Sequence, residues 1–552
     1  MLETESRPMR PATTDGKLER RATMAVLATF VVACVYFTGV FPPWANPNEL
    51  SRFQAVVAMA EWKTFSIDEA VARLGDHEDK SESGGKLYSN KAPGLAFAAY
   101  PVYRALRVAL PLPGPGTASA IFLLTRLLTV SVLCAIALRR FAARLAQSAT
   151  VAAAVPLVTL AVALGTPFLF YARSFFSHAW TAALLFLAWD RLQRAEEPDA
   201  RGGGAALAAL AGFLAAWAAI SEYTVAPIAL ALGLRAAAGR SGRRFFAFGL
   251  AAAVPIGLLL GYDAVCFGSP WTLSSAKEAA PEYAKLAQSG AFGFSLPSVR
   301  IAAAYLLDPA RGVFLFSPFL LWAFPGLARW WKSRRARADW WFVVAALVLL
   351  FVSLSGYPNW HGGWSLGSRY LLPGVFFAAF PIAWALESPL SRGLFIAAAA
   401  FSVVSHALLT AAWPYFPPEM PWPAATGSLW FLARGWVAPN LGTLLGVAPG
   451  LSLALPAALT LWSLFAVARA ASPARPAISV ALLLGVAPLA LLLLRPPEPP
   501  YFGRLWRAGV LGAFSGRDDA RQELGAVVLE ASTPEEQRLA ARVWRWLGPP
   551  SR

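Results

Sequence analysis

Between Glu49 and Lys91 the chain gathers eight carboxylates (Glu49, Glu61, Asp68, Glu69, Asp76, Glu78, Asp79, Glu82) and six cations (Arg52, Lys63, Arg73, Lys80, Lys86, Lys91), with apolar runs before and after. Such a stretch is too polar for hydrocarbon and too rich in paired charge to be a plain linker. Carboxylates at a membrane surface suit general-base work, and cations there suit an anionic ligand. Asn46-Pro47-Asn48-Glu49 reads as a helix start, with Leu50, Phe53 and Val57 as its apolar stripe. Glu49 therefore has two readings: a capping or i,i+3 partner of Arg52, or a base. Asp79, within His77-Glu78-Asp79-Lys80-Ser81, is the second candidate base, in a run that reads as flexible.

Further candidates lie downstream. Arg369, between Gly367 and Tyr370-Leu371-Leu372-Pro373, either offers a planar fork to phosphate or snorkels to headgroups. His361 sits between Trp360 and Trp364, rings that stack on sugars or anchor at the interface. His178 and Glu222-Tyr223 interrupt apolar runs, where ionisable groups are costly and mark function, although His178 also suits a helix-to-helix hydrogen bond. Asp308 and Arg311 are expected to pair with each other. No His-x-Glu, Cys-x-x-Cys or Asp-x-Asp spacing points to a metal and no phosphate-binding Gly-rich loop points to ATP. A divalent ion held by loop carboxylates stays open.

The elements that must position these residues are apolar helices. The 552 residues are 57% hydrophobic and 14% charged, which defines an all-α polytopic integral membrane protein. Cys34, Cys134 and Cys266 lie in or at the end of apolar runs, against a disulfide framework. The net charge of +17 comes from Arg in short turns, at 139–144, 191–201, 235–244 and 329–337. These read as cytoplasmic loops under the positive-inside bias, and nucleic-acid binding is the weaker reading.

Residues 1–21 read as a disordered cytoplasmic arm, 22–494 as the multi-span domain and 495–552 as a polar, extracytoplasmic tail with an amphipathic helix from Pro534 to Leu547. Counting the run from Ala22 to Phe41 as the first crossing gives thirteen spans. The segment 93–110, broken by Pro93, Pro101 and Pro111, is read as re-entrant or surface-lying. That topology makes 46–94 a large first outer loop carrying amphipathic helices, and it puts 267–312 and 413–443 on the same face.

The order of these segments resembles a family. A first helix, a long outer loop opening on an acidic residue and Lys91-Ala92-Pro93-Gly94 returning to the membrane look like the type C glycosyltransferases that use polyprenyl-phosphate sugars. These include protein O-mannosyltransferases and lipid A aminoarabinose transferases. Asn48-Glu49-Leu50-Ser51-Arg52-Phe53, Asp79-Lys80, Leu87-Tyr88-Ser89-Asn90, Asp308-Pro309-Ala310-Arg311-Gly312, Trp360-His361-Gly362-Gly363 and Gly367-Ser368-Arg369-Tyr370 carry the resemblance over roughly 22–410. The family pattern has an Asp-Glu pair after helix one, where this chain has Asn48-Glu49.

The resemblance implies sugar transfer from an undecaprenyl- or dolichyl-phosphate donor to a protein, lipid or glycan acceptor outside a prokaryotic inner or plasma membrane. Glu49, ahead of Asp79, would be the catalytic carboxylate. Arg52, Lys91 and Arg369 would hold the donor phosphate, and Tyr88, His178, Glu222, Tyr223, Trp360 and His361 would line the substrate. No cofactor is read. A transporter or flippase for lipid-linked glycans and a non-catalytic scaffold are the alternatives; the first should show midplane charges and repeat symmetry.

The topology has a direct test. Cysteines placed singly at Ser83, Ser289 and Ser532 in a background lacking native cysteines should all react with an impermeant thiol reagent in intact cells. Labelling of Ser289 only after permeabilisation would refute the span order.

Overall fold

A computed structural model describes residues 14–37, 47–114, 119–197, 203–239, 241–281, 284–285, 293–334, 336–471, 499–515 and 518–547. They form helices and connecting loops with one two-stranded antiparallel hairpin. Six helices are long and apolar enough to cross a membrane: Ala120–Ser148, Gly204–Ser221, Gly242–Phe267, Arg337–Ser355, Pro389–Ala411 and Pro449–Ala471. The chain is thus an all-α membrane protein, as composition dictates. The run expected at 477–494 lies outside the described residues.

Several other expected spans are bent or segmented. Ala154–Leu164 is followed by Phe168–Ala172. Val313–Phe316 passes through a 3-10 stretch, Pro318–Trp322, into Ala323–Lys332. Arg369–Gly374, Val375–Ala379 and Ile382–Ala385 succeed one another. Pro167, Pro318, Pro373 and Pro381 stand at or near these breaks, each removing a backbone donor. Ala154–Leu164 is buried along its whole length, the setting in which interrupted helices are tolerated at membrane depth. The Gly94–Leu106 helix has 13 residues with Pro101 inside it, a length of about 20 Å against the ~30 Å of a hydrocarbon core. The first helix, Thr14–Tyr36, begins upstream of Ala22, so part of the expected disordered arm is helical.

Ser177–Glu196 is the central post, buried almost throughout. Near its C-terminal end Asp190 meets Arg140 at 3.1 Å and Arg144 at 3.0 Å, and pairs with Arg191 as well. Arg235 joins Glu196 at 2.6 Å and Asp339 at 3.0 Å, and Trp189 Nε1 donates to Asp339 at 3.0 Å. Arg-rich turns far apart in sequence thus converge at one end of the bundle. His178 lies at the other end of the same helix, about 18 Å away at 1.5 Å per residue.

The loop over 47–94 is more ordered than its polarity suggests. Pro47–Val57 and Asp68–Leu74 are helical, and Lys80–Ser83 pairs with Lys86–Ser89 in register Ser81 to Tyr88. Gly84 and Gly85, at φ +59° and +72°, give the two left-handed residues of a tight hairpin turn. The run around Asp79, read as flexible, is therefore the approach to a strand. The 267–312 loop adds to this hairpin: Ser81 bridges to Glu278, Ala279 N donates to Lys80 O at 2.9 Å, and Ser81 Oγ donates to Ser274 O at 2.6 Å.

The C-terminal tail is built into the body. Its Tyr501–Ser515 helix buries Leu505, Trp506 and Val510, and Trp506 packs against Phe416 at 5.6 Å and Phe431 at 5.9 Å. The amphipathic Pro534–Leu547 helix is present as expected.

Gly94 shows why Lys-Ala-Pro-Gly ends in glycine. A Cβ there would stand 2.5 Å from Ser221 Oγ and 2.8 Å from the Ile220 carbonyl oxygen, while Trp217 Nε1 donates to Gly94 O at 2.9 Å. Gly94→Ala should cost about 1–3 kcal/mol by overpacking, lowering Tm in detergent. Gly257→Ala, whose Cβ meets nothing within 4 Å, should not lower it. Equal Tm values for the two variants would contradict the close approach.

Candidate active site

A cavity of about 1960 Å³ opens between the 47–94 and 267–312 loops, the adjoining ends of several helices and the C-terminal helices. Asp79, Arg52, Lys91, Arg369, His178, Glu222, Tyr223 and His361 all border it, so most of the candidates drawn from distant sequence segments share one space. Ala219, Ile220, Ile256, Leu259 and Leu260 give it an apolar flank, and Phe502, Glu535 and Leu539 bring the C-terminal helices to its wall.

The cations are held in three different ways. Arg52, buried on the Pro47–Val57 helix, donates from Nη2 to Ser177 Oγ at 2.8 Å, with Glu222 Oε2 at 3.9 Å. Lys91 Nζ pairs with Asp79 Oδ1 at 2.9 Å. Arg369 is buried with its guanidinium 5.5 Å from the Phe176 ring centroid and 5.1 Å from that of Tyr370, and Nη2 donates to Tyr370 Oη at 3.2 Å. Its Nε has no acceptor, and no carboxylate among the described residues lies within ion-pair distance of it. Arg369, Arg52 and Lys91 all lie close enough to act electrostatically on His178, so the three positive charges converge.

The carboxylates divide between the loops and the helix ends. Burial acts to raise Asp79, but Lys91 and a 3.4 Å hydrogen bond from Asn90 Nδ2 outweigh it and hold the group below the usual carboxylate range. Glu278 accepts from the same Asn90 Nδ2 at 2.7 Å. Burial is the main cause that pushes it up to about 7, with Lys91 and the Asn90 bond opposing and the Asp79 charge assisting. Glu222 accepts from Ser177 Oγ and from Thr224 Oγ1, the latter at 3.2 Å, and lies 3.7 Å from His178 Nδ1. Tyr223 Oη is 3.4 Å from Ser274 Oγ.

His361 is neutral at physiological pH, because burial, reinforced by Arg311 and Arg369, lowers it to about 4. Gly363 N donates to its Nδ1 at 3.0 Å, which puts the ring proton on Nε2. The loop carrying it is pinned from beneath. Arg311 donates to the carbonyls of Gly363 at 2.6 Å, Phe416 at 2.8 Å and Ser365 at 3.3 Å. Asp308 instead accepts the backbone N–H groups of Ala310 and Arg311 at 2.9 and 3.1 Å, so the expected Asp308–Arg311 side-chain pair is replaced by a turn cap and a loop anchor. Gly362, at φ +68°, would bring a Cβ within 2.6 Å of Arg369 Nε; the Gly-Gly step lets the guanidinium pass beneath the loop.

Three candidates sit elsewhere. Glu49 is buried away from the cavity, where it meets Arg126 Nη1 at 3.3 Å and accepts Phe175 N at 2.9 Å. Its carboxylate joins the Pro47–Val57 helix to two other segments, an anchoring geometry. Tyr88 packs at 5.4 Å on Phe267, and Trp360 packs edge-on to Tyr305 at 5.8 Å; neither borders the cavity. In the other direction, Asn90 and Glu278 went unrecognised. Asn90 had a local signal, being inside the Lys-Ala-Pro-Gly approach. Glu278 had none, because its partners lie 188 residues away. Among the described residues no group of three or more His, Cys, Asp or Glu is placed to hold a metal.

The chain matches no family model and no curated protein. Among solved structures it is similar to ArnT from Cupriavidus metallidurans in the apo state, at 17% identity and TM-score 0.47, over 95% of this chain and 82% of that one. The same protein bound to undecaprenyl phosphate gives 14% identity and TM-score 0.44 over the same shares. Arabinosyltransferase EmbB from Mycobacterium smegmatis gives 16% identity and TM-score 0.39, over 90% of this chain and 43% of EmbB. At these scores no residue role passes from them to this chain.

Proposed function

We propose that the protein is a membrane glycosyltransferase that moves a sugar from a polyprenyl-phosphate donor to an acceptor on the outer face of a prokaryotic inner or plasma membrane. One observation carries the reading: Arg369 is a buried guanidinium on the cavity wall with no carboxylate partner among the described residues, and Arg52 and Lys91 converge on the same space. A buried charge left unpaired is costly unless an anion completes it. The apolar flank of the cavity suits a prenyl chain below such an anion.

The chemistry follows from the charge. A lipid monophosphate leaving from the anomeric carbon gains negative charge, and preorganised cations in a water-poor site stabilise that gain. Arg369 and Arg52 supply planar forks and Lys91 a point charge held by Asp79. Asp79 thereby acts as a positioning carboxylate for Lys91. Tyr223, Glu222 and the neutral His361 supply hydrogen-bonding groups around the sugar.

Lys91→Ala and Arg369→Ala should each weaken binding of undecaprenyl phosphate to the purified protein by about 1.5–3 kcal/mol, the range for hydrogen bonds to charged groups. Unchanged affinity in both variants would place the phosphate elsewhere. Lipid movement without sugar transfer by the intact protein in vesicles would instead support a transporter.

A further inference from the structure

We propose that Glu278, on the second outer loop, is the general base that takes the proton from the acceptor hydroxyl, an inference that rests on the transfer reading above. The geometry separates it from the other carboxylates. Glu49 is sealed against Arg126 and Phe175 away from the cavity. Asp79 is neutralised by Lys91 at 2.9 Å. Glu222 is bonded by Ser177 and Thr224 beside Arg52. Glu278 borders the cavity, has no cation among the described residues within ion-pair distance, and is fixed by Asn90 at 2.7 Å and by the backbone bridge to Ser81.

Two carboxylates therefore share Asn90 but differ in environment. Asp79 stays ionised beside its lysine, whereas Glu278 is poised near neutral pH, where a base both holds its charge and accepts a proton. The charged groups that act on Glu278 are Lys91 and Asp79; His77, neutral at pH 7, and Lys80 stand behind Asp79. In the reaction, the acceptor oxygen bonds to the anomeric carbon as the bond from that carbon to the phosphate oxygen breaks. The electron pair leaves on the phosphate, among Arg52, Lys91 and Arg369, and the acceptor proton passes to the Glu278 carboxylate. Glycosyl acceptor, lipid phosphate and protonated Glu278 account for every atom and charge.

The sign of the pH effect follows. Glu278 works in its ionised form, so transfer should rise about tenfold per pH unit below about 7 and level off above it. The test uses full-length protein in detergent, undecaprenyl-phosphate-linked mannose, glucose and arabinose as donors, membrane extract as acceptor, and single-turnover release of undecaprenyl phosphate.

Glu278→Gln should lower the rate ~10²–10⁴-fold and abolish the limb near 7 while binding undecaprenyl phosphate normally. Glu278→Asp should restore part of the rate. Asp79→Asn should weaken undecaprenyl phosphate binding and keep a limb, moved to lower pH because a negative neighbour is gone. A wild-type limb that survives in Glu278→Gln overturns the proposal. Difference infrared titration of wild type against Glu278→Gln needs no substrate and should place the carboxyl midpoint near 7; a midpoint below 5 also overturns it. Failure of wild type to transfer from any donor, despite binding undecaprenyl phosphate, would instead count against the transfer reading itself.

Discussion

Arg369 is a guanidinium buried on the wall of a cavity, stacked on Phe176 and Tyr370 and lacking a carboxylate partner among the described residues. Keeping a charge in that condition is expensive, so the surrounding structure has to over-determine its position. It does so through the loop above it. Arg311 and Tyr171 fix that loop by its carbonyls, Tyr171 Oη donating to Leu366 O at 2.9 Å, and Gly362 leaves room for the guanidinium. The same economy governs Arg52, tethered to Ser177, and Lys91, tethered to Asp79. Of the three cations, Arg369 alone has no carboxylate within ion-pair distance among the described residues, while Lys91 pairs with Asp79 and Arg52 lies 3.9 Å from Glu222.

The two ends of the bundle treat charge in opposite ways. Around Asp190 and Asp339, arginines from several turns are satisfied by close carboxylates, which ties helix ends together. Around His178 the positive charges are held apart from full neutralisation and turned toward a cavity. The Ser177–Glu196 helix joins both ends, so the packed end serves as the foundation on which the end bordering the cavity keeps its geometry. The 47–94 and 267–312 loops join by strand-like pairing, Ser81 to Glu278, which brings Asp79 and Glu278 onto Asn90.

Much of this was legible from residue type. Ionisable residues at the ends of apolar runs, His178, Glu222 and Arg369, are candidates because hydrocarbon penalises charge, and they do border the cavity. Lys91 and Asp79 were legible as polar groups in a loop too charged for a linker, and they pair with each other at 2.9 Å. The position of Glu49 at a helix start does not show its burial, because its partners Arg126 and Phe175 come from distant segments. The hairpin was missed although Gly84-Gly85 between two short polar runs is a turn signal. Glu278 left no local trace, since only the docking of one loop on another gives it neighbours. The segmented helices were written in Pro167, Pro318, Pro373 and Pro381, but whether a proline bends or ends a helix depends on what packs against it.

The most direct test of the account is the structure of the full-length protein with undecaprenyl phosphate bound in a lipid nanodisc. The account predicts the phosphate within hydrogen-bond distance of Arg369 and of Lys91 or Arg52, with the prenyl chain along the Ile256, Leu259 and Leu260 flank. A phosphate seated away from all three cations, with Arg369 left unpaired, would contradict it.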